Sequence, residues 1–261
     1  MRRATGRQKL DIRGFFDEEA RRYIRERYVL PTCDQFAYQS RRRLALDLVG
    51  AGPGRIVDIG AGPGVMTADL RARSYDVYSV DISLEMLRES RRTSEDRVAA
   101  SRVVGGCLPE LPFVSGAFDA AMCIGVLAYL ENPLAGLMEI RRVLKRSGFA
   151  VLQASSAFSP SGRLHSLLRR WYRRAGESLG GSAYPHLDIR LRRFRLGSLC
   201  RSLESASLDV EAVAFYDFRP PVLQWVMPKT TLMATRWLQR FEDSRWLGVL
   251  SEGLILKVRA L

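Results

Sequence analysis

Histidine is nearly absent. The chain holds two, His165 and His186, and neither has a partner residue at metal-ligand spacing. The four cysteines, Cys33, Cys107, Cys123 and Cys200, are scattered and form no C-x-x-C pair. These absences exclude the usual zinc patterns, so no metal site is expected. They also point to reduced thiols in a cytosolic protein. The start, Met1-Arg2-Arg3, is basic but no apolar stretch follows it, so a secretory signal is not expected. No internal repeat or low-complexity tract appears. Negative charge is in short supply: 28 acidic residues face 41 basic ones, a formal charge of +13 carried chiefly by arginine. That excess reads either as a plain basic surface or as a face for an anionic partner. The candidate partners are a membrane surface, a phosphorylated substrate and a nucleic acid.

The most informative run present is Ile56-Val57-Asp58-Ile59-Gly60-Ala61-Gly62-Pro63-Gly64. Apolar residues lead to an acid, then a glycine loop, then a helical pattern. This order describes a strand entering a tight turn whose backbone approaches a ligand closely. The helix starting near Gly64 turns its free N–H groups toward that ligand. The spacing is G-x-G-x-G. A dinucleotide fingerprint wants its third small residue at position 65, where Val65 stands. The Gly-Lys-Ser/Thr ending of a phosphate loop is absent as well. The loop suits a nucleoside-like ligand without a pyrophosphate.

At 261 residues and 47% apolar content, one α/β domain with additions is expected. Residues 1–11 look loose. Apolar spacing predicts a helix over 15–30, ended by Pro31, and a second from Asp34 as N-cap to Leu48. Gly50–Gly54 reads as a linker. Tyr28 and Phe36 serve either as pocket walls or as simple packing. The core then alternates: strand 55–60, helix 64–73, strand 76–82, helix 84–92, strands 101–106 and 118–124, helix 133–145, strand 148–155. Alternation implies a mostly parallel sheet with helices on both faces. Ligands bind at the carboxyl ends of such strands, where Gly60, Gly62, Gly64, Asp81, Cys107 and Ile124 fall. A helix 196–208, a strand 209–218 and a last strand 254–258 complete the pattern.

Four motifs in order carry a family resemblance. The first is the glycine loop. The second is Val77-Tyr78-Ser79-Val80-Asp81-Ile82-Ser83, a strand ending in an acid. The third is Leu111-Pro112-Phe113-Val114-Ser115-Gly116-Ala117-Phe118-Asp119. The fourth joins Val126-Leu127-Ala128-Tyr129-Leu130 to Glu139 through Gly148. Over positions 52–156 the chain resembles the class I S-adenosylmethionine-dependent methyltransferases of the ubiquinone/menaquinone type. The resemblance implies a Rossmann-like methyltransferase sheet with an antiparallel last strand at its edge. It implies S-adenosylmethionine as cofactor and S-adenosylhomocysteine as product. Asp58 is then expected near the methionine ammonium, and Gly60, Ala61, Gly62 and Gly64 along the backbone cradle. Asp81 is expected on the ribose hydroxyls. Ile82, Cys107, Leu108 and Ile124 are expected around the cofactor. The family often has an aspartate where Cys107 stands; a thiol is a poor acceptor, so backbone groups around Cys107 and Leu108 take over adenine recognition.

The family organisation implies a helical cap over 1–54 and a methyltransferase domain over 55–261. Two insertions interrupt the latter. Residues 157–194 form a lid whose segment Arg163–Arg174 is a basic amphipathic helix. Residues 220–250 carry Trp225, Trp237 and Trp246 among apolar and arginine residues. That stretch is too broken by Pro228, Arg236 and Arg240 to span a bilayer. It reads either as interfacial or as packed on the sheet. A hydroxyl acceptor needs a base, and His186, Tyr129 and His165 are the candidates. An activated ring carbon needs none.

The expected activity is O- or C-methylation of a small, hydrophobic or lipid-linked acceptor, with peripheral contact to an anionic membrane. Two alternatives stand beside it: a non-catalytic cofactor-binding subunit docking on a partner, and an RNA methyltransferase. Cys123-Ile124-Gly125-Val126 lacks the Asp/Asn-Pro-Pro-aromatic loop of amino-methylating nucleic-acid enzymes, so nucleic acid is not favoured.

Overall fold

The computed structural model describes residues 2–29, 32–93, 102–159, 191–218 and 227–261. Helix α1 (Arg2–Ile24) runs into a π-helical turn, Arg25–Val29, and is followed by α2 (Cys33–Val49). The expectation of a loose start is corrected: arginine and alanine favour helix well enough to extend α1 to residue 2. The N-cap of α2 is Thr32, whose hydroxyl accepts from the Gln35 amide at 3.1 Å, and not Asp34. Asp34 sits in the first turn, where its charge complements the helix dipole.

The sheet consists of β1 (Gly54–Ile59), β2 (Tyr75–Asp81), β3 (Val103–Gly105), β4 (Phe118–Cys123), β5 (Leu144–Ser155), β6 (Leu208–Tyr216) and β7 (Gly253–Ala260). The connecting helices are α3 (Val65–Ala72), α4 (Leu84–Thr93), α5 (Pro133–Val143), α6 (Leu196–Ser205), α7 (Pro228–Leu238) and the short α8 (Arg245–Gly248). Strand order is β3-β2-β1-β4-β5-β7-β6. The strands through β5 pair in parallel, and β7 runs antiparallel to both its neighbours. The last strand was expected at the edge. It lies inside the sheet, between β5 and β6, and β6 holds the edge. Its burial explains this: Leu254, Ile255, Leu256 and Val258 are nearly inaccessible, as an interior strand requires.

Each sheet face has its own core. One packs Val57, Ile59, Leu152 and Leu256 against Leu137, Ile140, Leu199 and Leu203 of α5 and α6. The other packs Ile56, Val77, Met122 and Ile255 against Leu44, Val49, Met66 and Leu70 of α2 and α3. Each fully buried leucine contributes about 2 kcal/mol. The two-residue strand period puts Asp58, Gln153 and Tyr216 on the α2/α3 side with this second core. Helix α1 crosses to α4 and joins it through Asp17: its Oδ1 accepts from Ser83 Oγ at 2.6 Å and from the Glu85 amide at 3.2 Å.

Candidate functional site

The glycine loop is stitched to the end of β2. The Gly60 and Ala61 amides both donate to the Val80 carbonyl, at 2.7 and 3.1 Å. Gly60, Gly62 and Gly64 have φ of +74°, +55° and +80°, the left-handed region that favours glycine. At Gly60 a Cβ would also overlap Val126, so the loop after β4 lies directly against the glycine loop. Gly64 caps α3 without any side-chain hydrogen bond, which leaves the first amides of that helix facing the crevice.

Asp81 ends β2. Its Oδ2 accepts from the Gly62 amide at 2.9 Å and its Oδ1 from the Ser83 amide at 2.8 Å. Burial raises its pKa, while the amides of Ser83, Gly62 and Ile82 oppose the rise. Each oxygen keeps a further lone pair for a ligand hydroxyl. Asp58 is almost wholly buried and accepts from Thr67 Oγ1 at 3.1 Å; Thr67 in turn meets Ser79 Oγ at 3.1 Å. Burial pushes the Asp58 carboxyl up to about 7. Ile82 is half-buried beside Asp81.

The turn after β3 is held by Gly106, whose amide donates to the Asp81 carbonyl at 3.0 Å. Cys107 follows, half-buried, with its carbonyl taken by the Glu110 amide at 3.0 Å. Leu108 points its side chain into the core, at 2% exposure. Glu139 and Arg142 of α5 clamp this segment: Glu139 Oε1 accepts from the Leu111 amide at 2.6 Å, and Arg142 donates to the Phe113 carbonyl at 2.8 Å.

Ile124, buried at the end of β4, leads to Gly125. The Gly125 amide donates to Gln153 Oε1 at 2.9 Å, and Gln153 Nε2 donates to the Tyr216 hydroxyl at 2.9 Å. Tyr129 closes a short 3-10 turn, Leu127–Tyr129, edge-on to Phe16 of α1 at 5.5 Å. Gln8 Nε2 donates to its carbonyl at 3.2 Å. Burial pushes the Tyr129 phenol up to about 12. His165 and His186 lie outside the described residues, as do Trp225, Arg163–Arg174 and most of the expected lid.

Sequence reasoning missed a second chamber next to Gly125. Its cavity, about 170 Å³, is lined by Ala37, Tyr38 and Arg41 of α2, Ser155 of β5, Tyr216 and Asp217 at the end of β6, and Arg193 and Glu252. One signal for it was present: Gln153 is a polar residue in the otherwise apolar strand Ala150–Ala154. Among the described residues no group of three or more His, Cys, Asp or Glu side chains is placed to hold a metal ion.

The family profile described as a methyltransferase domain matches residues 57–152. A demethylmenaquinone methyltransferase of Beutenbergia cavernae is 37% identical over 143 residues, which span 54% of this chain and 57% of that relative. The chain thus covers little more than half of that relative's length. A demethylmenaquinone methyltransferase of Mycobacterium sp. strain KMS is 32% identical over 174 residues, 66% of this chain and 71% of the relative.

Among solved structures, a possible histamine N-methyltransferase of Thermotoga maritima superposes with a TM-score of 0.62 at 19% identity, covering 94% of this chain and 98% of that one. The magnesium protoporphyrin IX methyltransferase of Synechocystis, solved with S-adenosylhomocysteine, also gives 0.62, at 14% identity, covering 96% and 98%. These structural likenesses carry the fold; the sequence relatives carry the kinship. The chain belongs to the class I S-adenosylmethionine-dependent methyltransferases, in the methyltransferase-domain family of ubiquinone/menaquinone type.

Proposed function

We propose that the chain methylates a small, hydrophobic or lipid-linked acceptor at oxygen or carbon, with S-adenosylmethionine as donor. The observation that carries this reading is the glycine loop stitched to β2, with Asp58 and Asp81 beside it at the carboxyl ends of adjacent strands. When bound, S-adenosylmethionine supplies a methyl group on a positively charged sulfur, which an acceptor lone pair displaces in line. The chain's own work is binding, alignment and exclusion of water. Gly60, Ala61, Gly62 and Gly64 bring backbone close to the ligand. Asp58 receives its ammonium and Asp81 its ribose hydroxyls. Backbone at Cys107 and Leu108 meets the adenine, with Ile82 and Ile124 as apolar walls. The names of the relatives support a small or carrier-borne acceptor: demethylmenaquinone in several, and malonyl-[acyl-carrier protein] in one from Laribacter hongkongensis.

The chain approaches an anionic membrane surface through residues 228–250. Trp246, Met233 and Trp237 are 91%, 72% and 56% exposed, with Lys229, Arg236, Arg240 and Arg245 among them. Tryptophan beside arginine suits a headgroup boundary. The opposite side of this segment packs inward through Thr231, Thr235, Gln239 and Gly248. None of the helices among the described residues is long and apolar enough to cross a membrane.

The test is transfer of label from methyl-labelled S-adenosylmethionine into extract of the source cells, partitioned into lipid, water-soluble, protein and RNA fractions, with Asp81→Ala as control. Enzyme-dependent label in the organic phase is expected. Label in RNA or protein overturns the choice of acceptor. Binding of S-adenosylhomocysteine without label in any fraction favours a non-catalytic subunit.

A further inference from the structure

The cavity beside Gly125 is lined by Arg41, which makes no ion pair with a carboxylate among the described residues. Arg41 Nε is shut off from solvent and has no hydrogen-bond partner. The other two arginines of this region are matched: Arg27 meets Glu19 at 3.3 Å, and Arg193 lies 3.9 Å from Glu252. Arg41 has no such carboxylate among the described residues. Its surroundings are tyrosines. The guanidinium carbon stands 4.4 Å from the centre of the Tyr38 ring; burial opposes its charge most, and the phenols of Tyr216, Tyr38, Tyr28 and Tyr23 favour it.

Arg41 is half-buried as a whole and meets the Tyr28 hydroxyl, but a buried Nε left without a partner is costly unless something compensates it. Aromatic faces offset part of that cost, and a bound anion would offset more. Place matters as much as charge. Arg41 Nη1 lies 3.6 Å from where a Cβ on Gly125 would sit, and the next residue, Val126, presses on Gly60 of the glycine loop. Arg41 on the cavity wall is thus linked to the cofactor loop through Gly125 and Val126. Tyr38 and Tyr216 are among the cavity's walls. Two acids are also on its border. Glu252 is engaged by Arg193 and by Ser159 Oγ, and Asp217 acts on the Tyr216 hydroxyl.

We infer that this cavity is the acceptor subsite and that Arg41 anchors an ionised oxygen on a planar ring, a phenolate or a ring carboxylate. The inference rests on the methyltransferase reading and narrows it. The acceptor is an aromatic acid or phenol, and the hydrocarbon or isoprenoid part lies elsewhere. For a phenol, the O–H bond breaks on binding and the proton passes to bulk water. The oxygen lone pair then stands free beside the guanidinium. No histidine base is needed for that step. Arginine suits the role because it stays charged when buried and presents several donors in a plane.

The test uses 4-nitrophenol, whose ionisation is visible in its absorbance, with the full chain saturated by S-adenosylhomocysteine. In the wild type the probe is expected to bind as the phenolate, with its ionisation moved roughly one pH unit downward, a tenfold preference for the phenolate over the neutral phenol, and to bind more tightly than neutral nitrobenzene. Arg41→Met should abolish that preference, and Arg41→Lys should retain most of it. Benzoate competes at the same site if the anion is a carboxylate, and it fails to compete if only a phenolate fits; both outcomes keep the oxyanion subsite and name its source. Equal binding of nitrophenol and nitrobenzene by the wild type overturns the inference, as does an unchanged preference in Arg41→Met. Titration with S-adenosylhomocysteine on the same samples separates the causes. Failure of that ligand to bind the wild type sinks the methyltransferase reading, whereas normal binding with no probe shift sinks only the subsite. Its retention in Arg41→Met shows that the variant folds.

Discussion

At Gly60 two constraints coincide, a left-handed φ and contact with Val126. Gly62 has only the first, since a Cβ there would meet nothing within 4 Å. Both variants are therefore expected to bind S-adenosylhomocysteine more weakly, since both residues bring backbone to the ligand, and Gly60→Ala is expected to lose more stability than Gly62→Ala, which costs about 1 kcal/mol; calorimetric titration and urea unfolding of both variants check this. Asp58 makes a different kind of prediction. Its carboxyl titrates at about 7 in the folded chain, against about 4 when unfolded. The folded state thus holds the proton more tightly. This contribution to stability is complete below about pH 4, declines as pH rises toward 7, and is flat above. Asp58→Asn keeps an acceptor for Thr67 and removes the titration. Urea unfolding from pH 4 to 8 should show the wild type losing stability relative to Asp58→Asn by at most about 4 kcal/mol. A parallel pair of curves would contradict the burial assigned to this group.

Among the elements, Gln239 links α7 to the end of β6. Its Nε2 donates to the Phe215 carbonyl at 2.9 Å, and its Oε1 accepts from the Asp217 amide at 3.1 Å. Both backbone groups are buried. Gln239→Ala leaves them unpaired and should destabilise the chain by about 2–4 kcal/mol, read as a lower urea midpoint with unchanged slope. The alternation of strands and helices over residues 55–155 was legible from periodicity alone, because Ile56, Val77 and Leu70 face cores that the two-residue and 3.6-residue periods disclose. The extent of α1 was not, since its first turns are polar and carry no apolar stripe. Thr32 and Asp34 offer the same capping chemistry, and only geometry chooses between them. Asp58, the glycines and Asp81 were readable because one short segment or strand end delivers each. Asp17, Arg41 and Tyr216 come from elements remote in sequence. Their meeting around Ser83 and Gly125 is a product of packing that no local pattern records.

For the whole molecule, the formal charge of +13 and the outward tryptophans of residues 228–250 predict binding to anionic vesicles. Co-sedimentation with phosphatidylglycerol vesicles should fall as salt rises from about 0.05 to 0.5 M, because screening shortens the reach of the arginines. Trp246→Ala should weaken it further, and binding indifferent to both changes would remove the membrane from the reading. The placement of β7 bears on how the chain comes into being. Residues 208–216 leave the ribosome well before residues 253–260, yet β7 is the neighbour through which β6 joins the sheet. Until then the nascent chain carries an unpaired β6 and an open backbone edge on β5 along Phe149–Ser155. Translation pauses upstream of residue 253 would prolong that exposure, and misassembly on the ribosome would be governed by the tempo of synthesis rather than by the stability of the finished fold.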